Sequence, residues 1–338
     1  MALYPLYLLI SSVIAVLTTY YLLKWWIGQA HRLGFTGKDM NKPEKHDVAE
    51  AGGVWVSTGA AFGILSFIAL NKYLSRNPSY EEELMALALL LFMSSFLGFL
   101  DDLLGWKKGI KPIYRVLVMV PLSIPLVVIK AGYSKMAIPF IGVVDFGLIY
   151  PLVLVPIGVM GASNAFNMLA GYNGLEALQG VLLMLFTAIF SYIHGIYSVF
   201  TASIIMLATL LAFLKHNWYP ARVFPGNSLT YGVGAYYASL VILGNFEKYG
   251  LMLFALYFLE LVLFIRGLKH GVYKENFGIP QPDGTLKPPY DKCYSLTHLA
   301  IKIQLKIRGK ATEKGVVYFI ALLQIIIGII SLLIIKYV

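Results

Sequence analysis

Apolar runs about as long as a bilayer is thick recur along this chain, and no other feature constrains its fold as strongly. A helix needs about 20 mostly apolar residues to cross a hydrocarbon core. Ten stretches fit that requirement, with ends uncertain by several residues: 3–27, 52–70, 84–104, 113–130, 146–161, 175–192, 195–214, 229–244, 250–266 and 315–335. Hydrophobic residues make up 59% of the 338 and charged residues 13%, well above the roughly 45–50% apolar usage of soluble domains. The expected fold is all-α: a polytopic membrane protein of about ten transmembrane helices, with residues 1–338 forming a single integral membrane domain. The segment 133–147 is an exception. Its alternating apolar residues and glycines predict a short extended hairpin. The first run, Leu3 to Trp26, is too long for a signal-peptide core and lacks a small-residue cleavage site, so no cleaved leader is expected. Cys293 is the only cysteine, so an intrachain disulfide is excluded.

Basic residues orient the bundle. The loops at about 28–51, 105–115, 162–174, 215–228 and 267–314 hold 19 Lys and Arg, against 6 in the opposite set. By the positive-inside rule the first set is cytoplasmic and both termini face outside. The net charge of +10 is scattered over these loops, which suits anionic headgroups better than nucleic acid.

The polar residues that remain lie almost entirely on the cytoplasmic face. Asp101 and Asp102 end the run LMALALLLFMSSFLGFL, with Lys107, Lys108 and Lys111 just beyond. Ionisable groups at membrane depth are costly and are functional candidates by default. Two adjacent carboxylates repel unless a cation is near, and Mg²⁺ prefers one or two carboxylates together with phosphate oxygens and water. Read alone, the pair can equally be a helix end at the water interface. The loop GQAHRLGFTGKDMNKPEKHDVAEAGG mixes Lys38, Lys42 and Lys45 with Asp39, Asp47 and Glu50. In GASNAFNMLAGYNGLEALQG, Asn164 and Asn167 are three apart and share a helical face, with Asn173 and Glu176 beyond. Amide oxygens are hard ligands, and an amide can pair with a nucleobase edge. HNWYPARVFPGNSLTYG places Asn227 and Ser228 where an N-cap belongs. Glu260 lies within a span as a polar link between helices, and HLAIKIQLKIRGK predicts a basic interfacial helix. HExxH, GxSxG, Walker A and CxxC patterns are absent from the sequence.

Four strings, DMNKPEKHDVAEAGG, GFLDDLLGWKKGIKP, NAFNMLAGYNGLEALQG and HNWYPARVFPGNSLTYG, occur in one order between about residues 35 and 250. Together they resemble the polyprenyl-phosphate N-acetylhexosamine-1-phosphate transferases, in the eukaryotic and archaeal UDP-GlcNAc–dolichyl-phosphate branch. The resemblance implies transfer of GlcNAc-1-phosphate from UDP-GlcNAc to a polyisoprenyl phosphate, releasing UMP, as the first step of lipid-linked oligosaccharide synthesis for protein N-glycosylation. It implies Mg²⁺, with Mn²⁺ as the alternative. It assigns Asp101, Asp102 and Lys111 to catalysis, and Asp102, Asn167 and Asn227 to the metal. Asp39, Met40, Glu50, Asn173 and Phe224 line the nucleotide-sugar pocket, and Lys111 with Asn164 meets the lipid phosphate. Two positions depart from the family pattern. Asn227 stands where a metal-ligating Asp is usual, and Asn276–Pro280 stands where an Arg-His-Arg run contacts pyrophosphate, with Lys269, His270 and Lys274 as candidate substitutes.

The implied partners are UDP-GlcNAc, a polyisoprenyl phosphate and the membrane itself, with a homodimer as an allowed assembly and no nucleic acid. The compact final loop favours an archaeon and its cell membrane; in a eukaryote the site would be the endoplasmic reticulum membrane. Two rival readings stand beside this one: transfer of a different UDP-linked HexNAc-1-phosphate, and a non-catalytic transporter.

Overall fold

The computed structural model of the protein describes residues 3–74, 80–105, 114, 117–118, 120–138 and 142–334. Helix α1 (Tyr4–Leu33) carries Pro5 in its first turn, where a missing N–H costs nothing, and stops at Gly34 in the left-handed region. A small hairpin, β1 (Thr36–Lys38) and β2 (Asp47–Ala49), leads into α2 (Gly53–Leu74). Helix α3 (Glu81–Leu104) opens on Glu81, Glu82 and Glu83, which complement its positive N-terminal dipole. After a short helix α4 (Ile124–Val128), strands β3 (Lys135–Ile138) and β4 (Gly142–Asp145) pair antiparallel, as the 133–147 pattern predicts. A π-helical turn at Tyr150–Leu154 feeds α5 (Val155–Met168). Then come α6 (Leu175–Ile193), α7 (Tyr197–Asn217), α8 (Gly226–Gly244), α9 (Glu247–Leu253) and α10 (Ala255–Lys269). The two-residue strands β5 (Ile279–Pro280) and β6 (Leu286–Lys287), helix α11 (Leu296–Arg308) and helix α12 (Glu313–Ile334) complete the chain.

Among the described residues, seven helices are long and apolar enough to cross a membrane, and eight if a bent pair counts as one span. That pair is α9 and α10, which bend by 57° between Leu253 and Ala255, where a single straight span at 250–266 is expected. Most of the expected span at 113–130 lies outside the described residues; its end is a 3₁₀ turn at Val120–Ser123 and α4. Helix α8 is absent from the seven because Gly, Ser, Thr and Tyr dilute its hydropathy. It occupies the centre of the bundle instead, packed on α3 and α5 and touching α2, α6 and α7.

Small residues permit that centre. A methyl group added to Gly98 would strike the backbone of Asn227, one on Gly53 the backbone of Leu229, and one on Gly234 the backbone of Ala162. Close backbone approach of this kind drives helix association where lipid offers no hydrophobic force between helices. The outer rim carries exposed apolar side chains such as Leu9, Phe62, Phe92, Phe96, Leu211 and Ile329.

The polar loops gather at one end. Phe224 N–H donates to Ala49 O at 2.7 Å, and Gly52 N–H donates to Phe224 O at 2.9 Å, with Ala49 and Val223 forming a parallel bridge. Asn41 ties two more loops together: its Nδ2 donates to Gly171 O at 2.7 Å and its Oδ1 accepts from Gly278 N–H at 3.1 Å. Loops 28–51, 162–174, 215–228 and 267–314 thus form one face. Glu260, fully buried, accepts from Lys274, from the Ser295 hydroxyl at 3.0 Å and from Leu296 N–H at 2.7 Å, so it links α10 to the last loop and α11.

Candidate active site

Three helix ends converge on one cluster. Asp101 and Asp102 close α3, Asn167 lies in the last turn of α5, and Asn227 lies in the first turn of α8. Asn227 and Ser228 do not cap α8 with their own side chains, as the sequence pattern suggests. Asp102 caps it from α3, with Oδ1 accepting from Asn227 N–H at 2.7 Å and Oδ2 from Ser228 N–H at 3.1 Å. The helix begins in a left-handed Gly226, which leaves a space beside Asp102 that a Cβ would fill. A carboxylate is the natural occupant of a helix N-terminus, where unpaired N–H groups and the dipole both favour negative charge.

Asn227 then bridges the remaining members. Its Nδ2 donates to Asp101 Oδ2 at 3.2 Å, and its Oδ1 accepts from Asn167 Nδ2 at 2.7 Å. Tyr231, one helical turn further along α8, donates its hydroxyl to the same Asp101 oxygen at 2.7 Å, and Asn167 Nδ2 also donates to Thr230 Oγ1 at 2.8 Å. Four residues singled out from sequence, Asp101, Asp102, Asn167 and Asn227, therefore meet in one hydrogen-bonded unit. Tyr231 and Thr230 were not singled out, although their spacing of four and three from Asn227 puts them on its side of the helix. Asn164 lies one turn back on α5, half-buried, with Nδ2 donating to Met160 O at 2.9 Å.

A second polar cluster holds part of the expected nucleotide pocket. Asn173 Nδ2 donates to Asp39 Oδ2 at 3.0 Å, and Asn173 N–H donates to Glu313 Oε1 at 2.8 Å. Lys42 pairs with Asp39 at 3.2 Å and with Glu313. Asp39, Asn173 and Glu313 are all buried. Glu313 had no sequence signal: it opens the last helix, 140 residues from Asn173, and only the fold unites them. Glu50 and Phe224 lie in the two adjoining segments joined by the Ala49–Val223 bridge, whereas Met40 faces a cleft shared with Lys45, Glu275, Phe277 and Tyr290. Burial pushes the Glu50 carboxyl up to about 7, and nearby Glu176 adds to the rise. Lys111 lies outside the described residues, as do Lys107 and Lys108.

Lys274 cannot stand in for an arginine of the final loop. Its ammonium is spent on Glu260, and it also donates to Met168 O at 3.3 Å. Asn276 is likewise committed, donating to Met168 O at 3.0 Å and Ala170 O at 2.8 Å. His270 packs beside Tyr294 with ring centroids 5.8 Å apart.

Residues 84–245, which carry Asp101, Asp102, Asn164, Asn167, Asn173 and Asn227, match the family model for glycosyl transferase family 4. A Sulfolobus acidocaldarius protein, provisionally named a UDP-N-acetylglucosamine–dolichyl-phosphate N-acetylglucosaminephosphotransferase, is 34% identical over 327 residues, 96% of this chain and 95% of its own length. The chain belongs to glycosyl transferase family 4. Within the family it sits with the archaeal and eukaryotic members. A Schizosaccharomyces pombe UDP-N-acetylglucosamine–dolichyl-phosphate N-acetylglucosaminephosphotransferase is 29% identical over 265 residues, 65% of this chain and 58% of that one. A Clostridium botulinum phospho-N-acetylmuramoyl-pentapeptide-transferase is 26% identical over 249 residues, 70% and 73% of the two chains.

Proposed function

We propose that this family 4 transferase moves GlcNAc-1-phosphate from UDP-GlcNAc to a polyisoprenyl phosphate of dolichyl type, releasing UMP, as the first step of lipid-linked oligosaccharide synthesis. The observation that carries the reading is the meeting of Asp101, Asp102, Asn167 and Asn227 at the α8 N-terminus, in a chain aligned almost end to end with a relative named for this reaction.

In the reaction an oxygen of the lipid phosphate attacks the β-phosphorus of UDP-GlcNAc. The bond from that phosphorus to the bridging oxygen breaks, and the electron pair leaves with UMP. A phosphate monoester already carries about −1.5 to −2 charges at pH 7, so no strong base is required, and positioning with charge neutralisation supplies most of the catalysis. The chain's own contribution is a preset frame. Asp102 fixes the first turn of α8 against α3, Asn227 sets the spacing between Asp101 and Asn167, and Tyr231 holds the Asp101 carboxylate. Asp39, Glu50, Asn173 and Phe224 form the nucleotide end, and Lys111 with Asn164 the lipid-phosphate end.

The donor set fits Mg²⁺. It consists of hard oxygens, two carboxylates and two amides, which suit an ion held also by substrate phosphates and water. When bound by Asp101, Asp102, Asn167 and Asn227, the ion would neutralise diphosphate charge and stabilise the leaving UMP.

The ten-span arrangement, with both termini outside and this face cytoplasmic, belongs to the same proposal. It is supported by the joining of four basic or polar loops at one end and by the positive-inside rule. The deciding experiment incubates purified protein with labelled UDP-GlcNAc or UDP-GalNAc, Mg²⁺ or Mn²⁺, and several polyprenyl phosphates. UMP release coupled to a GlcNAc-diphospholipid is expected. UDP-sugar uptake into vesicles without UMP release would instead identify a transporter.

A further inference from the structure

We propose that the corner where α11 meets α12 is a docking surface for the anionic headgroups of bulk membrane lipid, carried by Lys306, Arg308, Lys310 and Lys314. The sequence predicts that HLAIKIQLKIRGK lies on the membrane as an amphipathic helix. The structure divides that stretch. Leu296, Ala300, Ile301 and Gln304 of α11 are buried in the protein, so its apolar face does not meet lipid. Only its last turn and the link 309–312 face outward, with Lys306, Ile307, Arg308 and Lys310 exposed.

The outer side of α12 shows how deep this corner lies. Lys314, Tyr318, Leu322, Ile325, Ile329 and Leu333 are exposed at spacings of three or four residues, so they form one stripe. The stripe runs from an ammonium through a phenol to pure hydrocarbon. That is the order from headgroups through the interface to acyl chains, with Tyr at the boundary. Lys314 is thus at headgroup depth. Trp218 packs on Tyr318 with ring centroids 5.7 Å apart and adds a second amphipathic ring. Arg308 and Lys310 are tied to the same level. Gln304 Oε1 accepts from Thr312 N–H at 3.3 Å, and Leu286 N–H donates to Ala311 O at 2.9 Å, which anchors the link.

The four basic ends have no internal counter-charge. Among the described residues, none of them pairs with a carboxylate. Asp283, an acid near Lys310, is already occupied: its Oδ1 accepts from Thr285 N–H at 3.0 Å and from the Thr285 hydroxyl at 2.6 Å. Ile307, 74% exposed, stands among the cations and supplies the apolar side chain that an interfacial contact inserts. Each basic group near an anionic leaflet gains about fivefold in association. The corner leads directly into Glu313, which accepts from Asn173 N–H at 2.8 Å. Headgroups bound here therefore also steady the start of α12.

For the test, the full chain is exchanged into mixed micelles holding equal amounts of phosphatidylglycerol and phosphatidylcholine. Native mass spectrometry counts the lipids it retains. The wild type should prefer phosphatidylglycerol by at least about tenfold, less so as NaCl rises from about 0.05 to 0.5 M. Lys306→Gln/Arg308→Gln/Lys310→Gln should shrink that preference by about fivefold or more, and adding Lys314→Gln should shrink it further. In nanodiscs, phosphatidylglycerol should raise the wild-type melting temperature above that in phosphatidylcholine, and the triple variant should lose the rise. A charge-matched change on the same face outside this corner, Arg32→Gln/Lys38→Gln/Lys292→Gln, should cost less than about twofold. Equal loss in that control overturns the proposal, as does a wild type without preference or a folded corner variant with an unchanged one. If the triple variant does not fold, Arg308→Gln read in the same way decides. Displacement of the retained phosphatidylglycerol by an equimolar amount of polyprenyl phosphate would make the corner part of the substrate site and overturn the proposal too.

Discussion

At the scale of single residues, the two adjacent aspartates have different tasks, and substitution should separate them. Asp102 gives both oxygens to backbone N–H groups of α8. Asp102→Asn leaves one of those donors without an acceptor, so thermal stability should fall by about 1–3 kcal/mol, with loss of turnover following the displaced helix. Asp101 accepts from Tyr231 and Asn227 through one oxygen, which an amide oxygen can imitate. Asp101→Asn should therefore melt near the wild-type temperature while turnover falls by about 100-fold or more, since the proposed reaction places that charge at the diphosphate. Near-normal turnover in that variant would reduce Asp101 to packing. Asn227→Asp tests the cation directly. It removes the donor to Asp101 and crowds three carboxylates together, which destabilises the protein in chelator. Bound Mg²⁺ should more than offset this, so the Mg²⁺ midpoint for activity should fall. An unmoved midpoint removes Asn227 from the metal site. Glu50 supplies a pH signature. Its carboxyl is raised to about 7 by burial, so in the folded state it prefers to be neutral. Its contribution to stability is complete below the ordinary glutamate range and is lost as pH rises through about 7. The melting temperature of the wild type should drop across that window by the equivalent of at most about 3 kcal/mol, and Glu50→Gln should flatten the drop.

At the scale of elements, α8 is the organising part. It has the wrong composition for a lipid-facing helix and the right one for close approach on all sides. Gly98 on α3 meets the Asn227 backbone with no room for a methyl group. Gly98→Ala should push the α8 N-terminus away from the Asp101–Asp102 pair. We expect a stability loss of about 1–3 kcal/mol, typical of overpacking, and a fall in turnover out of proportion to it. Normal turnover would mean that the spacing of α3 and α8 is not critical. The same element shows where pattern reading stops. PGNSL predicts a self-capped helix, yet the cap comes from 125 residues away, because a carboxylate on a neighbouring helix is a better acceptor than the short side chains at hand.

At the scale of the whole molecule, the polar face is built from loops that share no local signal. The β1–β2 hairpin, the 168–174 turn, the 217–226 loop and the start of α12 each supply one or two partners. Cys293, half-buried in the last loop and the only cysteine of the chain, reports on which side of the membrane this face lies. In sealed vesicles of known orientation, a membrane-impermeant maleimide should label it only from the cytoplasmic side. Labelling from the outside would invert the topology.

The membrane class, the helical fold, the hairpin at 133–147 and the four motif strings were legible in the sequence because each rests on a local signal: hydrocarbon thickness, alternation, or a short motif. The candidate site was legible in part for the same reason, as polar residues stand out in apolar runs. The sequence alone also marked Asp101, Asp102, Asn167, Asn173 and Asn227. What only the tertiary structure decided is how they combine: Asp102 as the cap of α8, Asn227 as the bridge between Asp101 and Asn167, Lys274 as the partner of Glu260, and Glu313 as the acceptor for Asn173 N–H. Those pairings join residues up to 140 positions apart. Hydrogen bonds and ion pairs act over a few ångströms, so they are set by which helix ends the packing brings together, and one-dimensional spacing carries no record of that.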